Sequence, residues 1–307
     1  DVVGYNYKEH LYEEDHRRFP SLPFLGSENG HSLEAWRTVT NHDYISGQFL
    51  WTGIDYLGEA HGWPVHGSGA GLLTLAGFPK NRYYRRQSFW LDTPVLHLST
   101  SPYTGETTEY LPASDCWNYE EGQQILVRCY TNLPSAELFL NGRSLGRKEG
   151  LNEHGSMDWV VSFEAGELSV KGYPDGENGN GDTEPLAFQL ITTGEPERLL
   201  LNRWAAPETA CAGQSPSLKT EGGRRAAVEQ IEIALADRDG NAAVHRDLPV
   251  SVCVSGPGVL MGLENGNLAD NTPYSEHTRT TLHGRLIAYV RRTGEGSISV
   301  SVRAEGC

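Results

Sequence analysis

The residues best suited to chemistry gather near the start of the chain. In Leu25-Gly26-Ser27-Glu28-Asn29-Gly30-His31 a carboxylate stands immediately after a short apolar run. Parallel β/α units carry their functional side chains at the carboxyl ends of their strands, so a glutamate in this place can act as nucleophile or base. It equally fits a turn or a carboxylate leading into a helix, and residue type alone leaves both readings open. A second candidate is the run Gln48-Phe49-Leu50-Trp51-Thr52-Gly53-Ile54-Asp55. Strand alternation would place Trp51, Gly53 and Asp55 on one side. An exposed indole stacks on the C–H face of a sugar ring, although a tryptophan in a strand also fits a core position. His10, His16, His31, His42, His61 and His66 follow no ligand spacing, so they announce no metal centre.

The elements that must hold these residues read as follows. An apolar strand from Val2 to Tyr7 runs into a charged, helix-compatible stretch from Lys8 to Arg18. Pro20 and Pro23 introduce the second apolar run, and Ser32 is placed to cap a short helix over residues 33–39. The third strand is Gln48 to Asp55. Short apolar strands alternating with helical pieces predict parallel β/α units. The connection from Leu57 to Gly77 is rich in Gly, His and Trp, and a loop that long in an α/β unit is usually functional. A closed (β/α)8 barrel needs eight strands and about 250 residues, so three strands form either a small open sheet or the tail of a longer protein.

From about residue 92 the pattern changes to period-two alternation. Gln124 to Tyr130 and Ala136 to Leu140 are strand-like, and Asn141-Gly142 after them is a strong hairpin signal. Met157 to Phe163 and Glu167 to Tyr173 add strands, with the polar stretch Asp175 to Glu184 as an exposed loop. After Pro196 the same pattern returns, turning at Asp237-Arg238-Asp239-Gly240-Asn241. The expected division is 1–91, 92–195 and 196–307.

Composition bounds the function. The chain has 307 residues, enough for two or three domains, and its 35 glycines suit turn-rich β structure. With 25 Lys and Arg against 40 Asp and Glu, the formal net charge is −15. Nucleic acid and anionic membrane surfaces are therefore poor partners, and a neutral or cationic ligand is favoured. No apolar run approaches the roughly 20 residues that cross a bilayer, and residue 1 opens on a strand-like segment without a basic leader. The five cysteines (Cys116, Cys129, Cys211, Cys253 and Cys307) include no C-x-x-C pair and read as mostly buried free thiols, which fix no redox compartment.

Four segments together resemble a known family: Gly4-Tyr5-Asn6-Tyr7, Phe24-Leu25-Gly26-Ser27-Glu28, the run from Gly47 to Glu59, and Ala76-Gly77-Phe78-Pro79-Lys80-Asn81-Arg82-Tyr83-Tyr84. In order and spacing they look like the sixth to eighth strands of the catalytic barrel of family 2 glycoside hydrolases, the β-galactosidase family. Ala136-Glu137-Leu138-Phe139-Leu140-Asn141-Gly142-Arg143-Ser144-Leu145-Gly146 and the turn at Asp237 resemble the accessory sandwiches of bacterial members. The fold this implies is a partial (β/α)8 TIM-barrel sector followed by two immunoglobulin-like antiparallel β-sandwiches. The implied function is the C-terminal portion of a retaining exo-β-glycosidase, a β-galactosidase first, in a bacterial, extracytoplasmic setting. Glu28 matches the family's nucleophile, and Tyr7, ahead of Tyr5, matches a tyrosine that orients it. Asn6, His31, Trp51 and Asp55 are implied as sugar contacts.

One departure stands out. In this family the acid/base glutamate follows an asparagine at the end of the fourth barrel strand, and no such Asn-Glu pair precedes Glu28 here. Glu153 follows Asn152 in a sandwich turn, and Asn265 is preceded by Glu264 rather than followed by one. The expected partners are thus a carbohydrate substrate and an upstream remainder of the catalytic domain, with a homo-oligomer left open and no cofactor expected. Some members bind Mg²⁺ or Na⁺ near the site, but nothing in the sequence supports either. A carbohydrate-binding or scaffold module, and a β-glucuronidase or β-mannosidase type relative, are the competing readings.

Overall fold

The computed structural model describes residues 1–107, 112–174, 184–204 and 228–306. It divides into two compact units. One holds Asp1–Leu57, Ser68–Thr74 and Pro79–Thr192, and the other holds Gly58–Gly67, Leu75–Phe78 and Thr193–Cys307. Most of the structure is β-sheet, with few helices.

The first unit opens with β1 (Val3–Asn6), a 3-10 turn (Glu9–Leu11), α1 (Tyr12–Arg18), β2 (Phe24–Asn29), α2 (Leu33–Thr40) and β3 (Ile45–Leu50). The three strands form a parallel sheet in the order β1-β2-β3. Its core is aromatic: Tyr12, Phe24, Val39 and Ile45 are buried, and Tyr5 meets Tyr12 and Phe24 edge-on at 5.2 and 5.3 Å. Acidic residues occupy the first turn of α1 and basic residues its last, matching the helix dipole. The Tyr5 hydroxyl donates to Asp15 (2.7 Å), tying β1 to α1. Ser32 caps α2 as expected, accepting the Ala35 N–H at 3.0 Å.

After the short strands β4 (Tyr56–Leu57) and β5 (Gly67–Ser68) comes α3 (Asn81–Trp90), which the sequence pattern does not announce. Its buried face is Arg85, Arg86 and Ser88, so it lacks the apolar stripe by which helices are recognised. Instead α3 is fixed by polar and stacking contacts with the antiparallel sheets of the same unit. The Tyr84 ring lies on His97 at 3.4 Å between centroids, and Arg85 donates to the His154 carbonyl.

Those sheets are β10-β7-β6 and β12-β11-β8-β9, built from β6 (Leu96–Pro102), β7 (Gln124–Thr131), β8 (Ser135–Leu140), β9 (Arg143–Glu149), β10 (Met157–Ser162), β11 (Glu167–Tyr173) and β12 (Leu186–Ile191). Alternate residues from both enclose Trp117, Leu138, Met157 and Leu168. The β8–β9 turn carries positive φ at Asn141 (49°) and Gly142 (76°), the backbone that an Asn-Gly hairpin requires.

The second unit contains β13 (Arg198–Trp204), β14 (Val228–Ala236), β15 (Pro249–Ser255), β16 (Gly258–Glu264), β17 (Thr278–Thr280), β18 (Arg285–Arg292) and β19 (Ser299–Ala304). They form two sheets, β13-β14-β18-β16 and β17-β15-β19, around Ile233, Leu235, Val250, Leu263 and Leu286. The segment Leu75–Phe78 joins this unit through Phe78, whose ring meets Trp204 at 5.8 Å. Cys116 and Cys129 are buried free thiols, whereas Cys253 is exposed because it falls on the outward side of β15. Cys211, Cys307 and residues 175–183 of the expected loop lie outside the described residues.

Candidate active site

The parallel register brings the candidate residues together. Asn6 pairs with Glu28, and Asn29 with Leu50, so the carboxyl ends of β1, β2 and β3 present Asn6-Tyr7, Glu28-Asn29 and Leu50-Trp51 side by side. Glu28 is still within β2, as its last residue but one, rather than behind the strand. Tyr7, the first residue past β1, donates its N–H to the Glu28 carbonyl (2.9 Å) and adopts φ 50°, a left-handed conformation uncommon for a tyrosine. Burial, then the hydrogen bond from its hydroxyl to Glu28, push the Tyr7 phenol up to about 12. It therefore remains a donor to that carboxylate at neutral pH. Trp51 is held by its N–H on the Asn29 carbonyl (3.0 Å), meets Tyr56 edge-on at 5.6 Å, and keeps 38% of its surface in water.

Asn29 is fully buried and donates to Glu9 Oε1 (2.8 Å). Its side chain folds over residue 26 so closely that a Cβ there would sit 1.9 Å from Asn29 Oδ1, which explains the glycine. Glu9 thereby becomes a second carboxylate on the Tyr7 side of the site.

His31 places Nε2 at 2.8 Å from the Ala70 carbonyl. A carbonyl can only accept, so Nε2 carries the proton and Nδ1 is left as an acceptor, buried and without a partner. Burial first, then the positive charge of Arg82, hold the ring pKa down at about 4 and keep it neutral. Arg82 donates to the same Ala70 carbonyl (3.3 Å), and Arg85 to the His31 carbonyl (3.1 Å).

Asp55 does not share a face with Trp51. Because β3 ends at Leu50, strand alternation does not extend to residues 51–55. The Asp55 side chain turns inward, 4% exposed, where it accepts from Lys80 Nζ (2.6 Å) and the Gly71 N–H (2.9 Å). Its geometry suits holding the 69–71 segment against the start of α3. A Cβ at Gly71 would lie 2.2 Å from the backbone of Ile54 and Asp55.

The site thus offers a strand-end carboxylate with a phenol donor, an open indole and a neutral imidazole acceptor. Glu9, Asn29, Lys80, Arg82 and Arg85 were not singled out from sequence. Asn29 adjoins Glu28, and Lys80 and Arg82 follow the long loop, but neither adjacency says where a side chain turns. Among the described residues no three His, Cys, Asp or Glu side chains converge to hold a metal ion.

Comparison with known proteins adds independent evidence. The model of the glycoside hydrolase family 2 C-terminal domain 5 matches residues 219–307, and that of a domain of unknown function, DUF4982, matches residues 122–178. The β-galactosidase BoGH2A of Bacteroides ovatus is 28% identical over 356 residues, an alignment covering all of this chain and 38% of that protein. A crystal structure of a family 2 member from Bacteroides cellulosilyticus superimposes on the whole chain with a TM-score of 0.83 at 26% identity. Together these matches support a C-terminal fragment of a glycoside hydrolase family 2 protein. This chain is glycosidase-like and spans about two-fifths of the length of these two relatives. A putative β-glucuronidase of Formosa agariphila is also similar, 35% identical over 160 residues that cover 50% of this chain and 14% of that protein.

Proposed function

We propose that this chain is the nucleophile-bearing C-terminal portion of a retaining exo-β-glycosidase, acting on terminal β-galactosides. In this reading residues 1–91 are a sector of a (β/α)8 barrel, 92–195 a first accessory sandwich and 196–307 an immunoglobulin-like second one. The observation that carries it is the placement of Glu28 at the carboxyl end of the central parallel strand with the Tyr7 hydroxyl donated to it.

Glu28 attacks the anomeric carbon as the bond to the leaving oxygen breaks, and a glycosyl ester forms on its carboxylate. A general acid about 5 to 5.5 Å away protonates the leaving oxygen and then, as base, activates the water that hydrolyses the ester. That second carboxyl group is supplied by chain outside these 307 residues. Tyr7 steadies the Glu28 carboxylate, Trp51 stacks on the sugar ring, and Asn6 and the His31 acceptor contact its hydroxyls.

The test is trapping. A 2-fluoro galactoside incubated with the full-length protein should label the peptide carrying Glu28, and Glu28→Gln should abolish labelling while keeping sugar binding. A label on another residue overturns the assignment. The Arg82 and Arg85 charges beside His31 support a second reading, in which the sugar is a uronide. Comparing kcat/KM for nitrophenyl galactoside and nitrophenyl glucuronide decides between them.

A further inference from the structure

The loop after Leu57, Gly58–Gly67, folds with the second unit and has no part in the chemistry above. It closes on itself through the Gly58 N–H on the His66 carbonyl (3.0 Å). Two bonds hold it to a stretch past β16: the His66 N–H on the Leu268 carbonyl (3.0 Å) and Asn271 Nδ2 on the Pro64 carbonyl (3.0 Å). What the loop displays is Trp63, 80% exposed, the most open of the large apolar side chains among the described residues.

The foundation under this loop is unusually constructed. Side-chain oxygens of Asn265, Asn267 and Asp270 each accept the N–H two residues on, at 2.8, 3.0 and 2.9 Å. Asn265 Nδ2 donates to Asp270 (2.8 Å). Arg279, 3% exposed, faces Asp270 and Glu264 at 3.6 and 3.9 Å and donates to the Thr272 carbonyl. Burying such charges is costly and adds little to the stability of a sandwich. What it does is tie down the stretch that carries the Leu268 carbonyl and Asn271, the two groups that grip the loop. A rigid support under a loop that holds a tryptophan in water is explained if the indole face is used.

We propose that Gly58–Gly67 is a saccharide-binding arm, in which Trp63 stacks on the C–H face of a neutral pyranose ring. A single indole in a loop that also carries polar Glu59 and His61 and is tied to Asn271 suits a sugar, which presents one apolar face rimmed by hydroxyls. Neutrality follows from the net charge of −15 and from Glu59 and Asp270 in the arm and its foundation. The class of ligand rests on the glycosidase reading, whereas the site itself is independent of Glu28.

The experiment uses the full-length protein, with cellotetraose and β-1,4-galactobiose as neutral probes and glucuronic acid as the charged one. Binding is read by calorimetry and tryptophan fluorescence in Glu28→Gln, so that no probe is consumed. Trp63→Ala should weaken binding of at least one neutral probe about tenfold or more, and Trp63→Phe less. Asn271→Ala should weaken it with Trp63 still present, because the arm loses its grip. In the enzyme with Glu28 intact, Trp63→Phe should leave kcat for nitrophenyl galactoside within about twofold. Unchanged affinity in both Trp63 variants, a Trp63-dependent binding of glucuronic acid tighter than that of the neutral probes, or a Trp63 shielded from acrylamide in the unliganded full-length chain would each overturn the proposal. If Glu28 is not labelled by the fluorosugar while binding still depends on Trp63, the catalytic assignment fails and the arm stands.

Discussion

Two glycines show how closely the neighbourhood of Glu28 is built, and they differ in what they touch. At Gly71 a Cβ would meet main chain, 2.2 Å from both Ile54 C and Asp55 N, and main chain cannot swing aside. At Gly26 it would meet the end of a side chain, Asn29 Oδ1, which can turn away at the cost of its bond to Glu9. Neither glycine has positive φ, so the difference is one of space. Gly71→Ala should therefore destabilise by about 3 kcal/mol and Gly26→Ala by about 1 to 2 kcal/mol, as read from urea unfolding, and the reverse order would contradict the packing described. The Glu28 position was legible because an acidic residue closing an apolar run marks a strand's carboxyl end. Asp55 was not, because alternation was carried past Leu50, where the strand stops and the side chain turns toward Lys80.

Among the elements, strands such as β7, β8, β10 and β11 and the capped helix were readable from period and punctuation, whereas β6, β13 and β16 went unannounced, and so did α3, since its buried positions are arginines and a serine. The turn at Asp237 lies between these cases. Its residue types announce a turn, but not that the carboxylate, itself buried, accepts N–H groups from Asp239, Asn241 and, from a distant segment, Gly194 at 3.0, 2.9 and 3.2 Å. Burial opposes the charge, yet these amide bonds prevail and hold the carboxyl below the usual carboxylate range. The unfolded chain then binds the proton more readily than the folded one, so this contribution is complete above the ordinary aspartate value of about 3.9 and is lost as pH falls through the lower folded value. Asp237→Ala should cost the second unit about 2 kcal/mol at neutral pH and flatten its stability below pH 4, as followed by thermal melts over a pH series. An unchanged acid limb would remove Asp237 from the account.

For the molecule as a whole, the 307-residue chain by itself should show no normal turnover. Losing general-acid help alone typically forfeits about 10² to 10⁴ in rate. Steady hydrolysis of nitrophenyl galactoside by the purified chain would contradict this. The change from parallel units to antiparallel sheets was legible because the hydrophobic period changes with it. That residues 58–67 and 75–78 fold with the last third was not, because their partners stand more than 120 residues further along, as Trp204 does from Phe78 and Asn271 from Pro64, beyond the reach of any local pattern. This interleaving bears on how such a protein can be inherited. A recombination that exchanged everything after residue 192 would import a sandwich that has never met these two short segments and strand both on foreign surfaces. The terminal sandwich is thus no free cassette, and lineages should have passed it on together with the loop that bears Trp63.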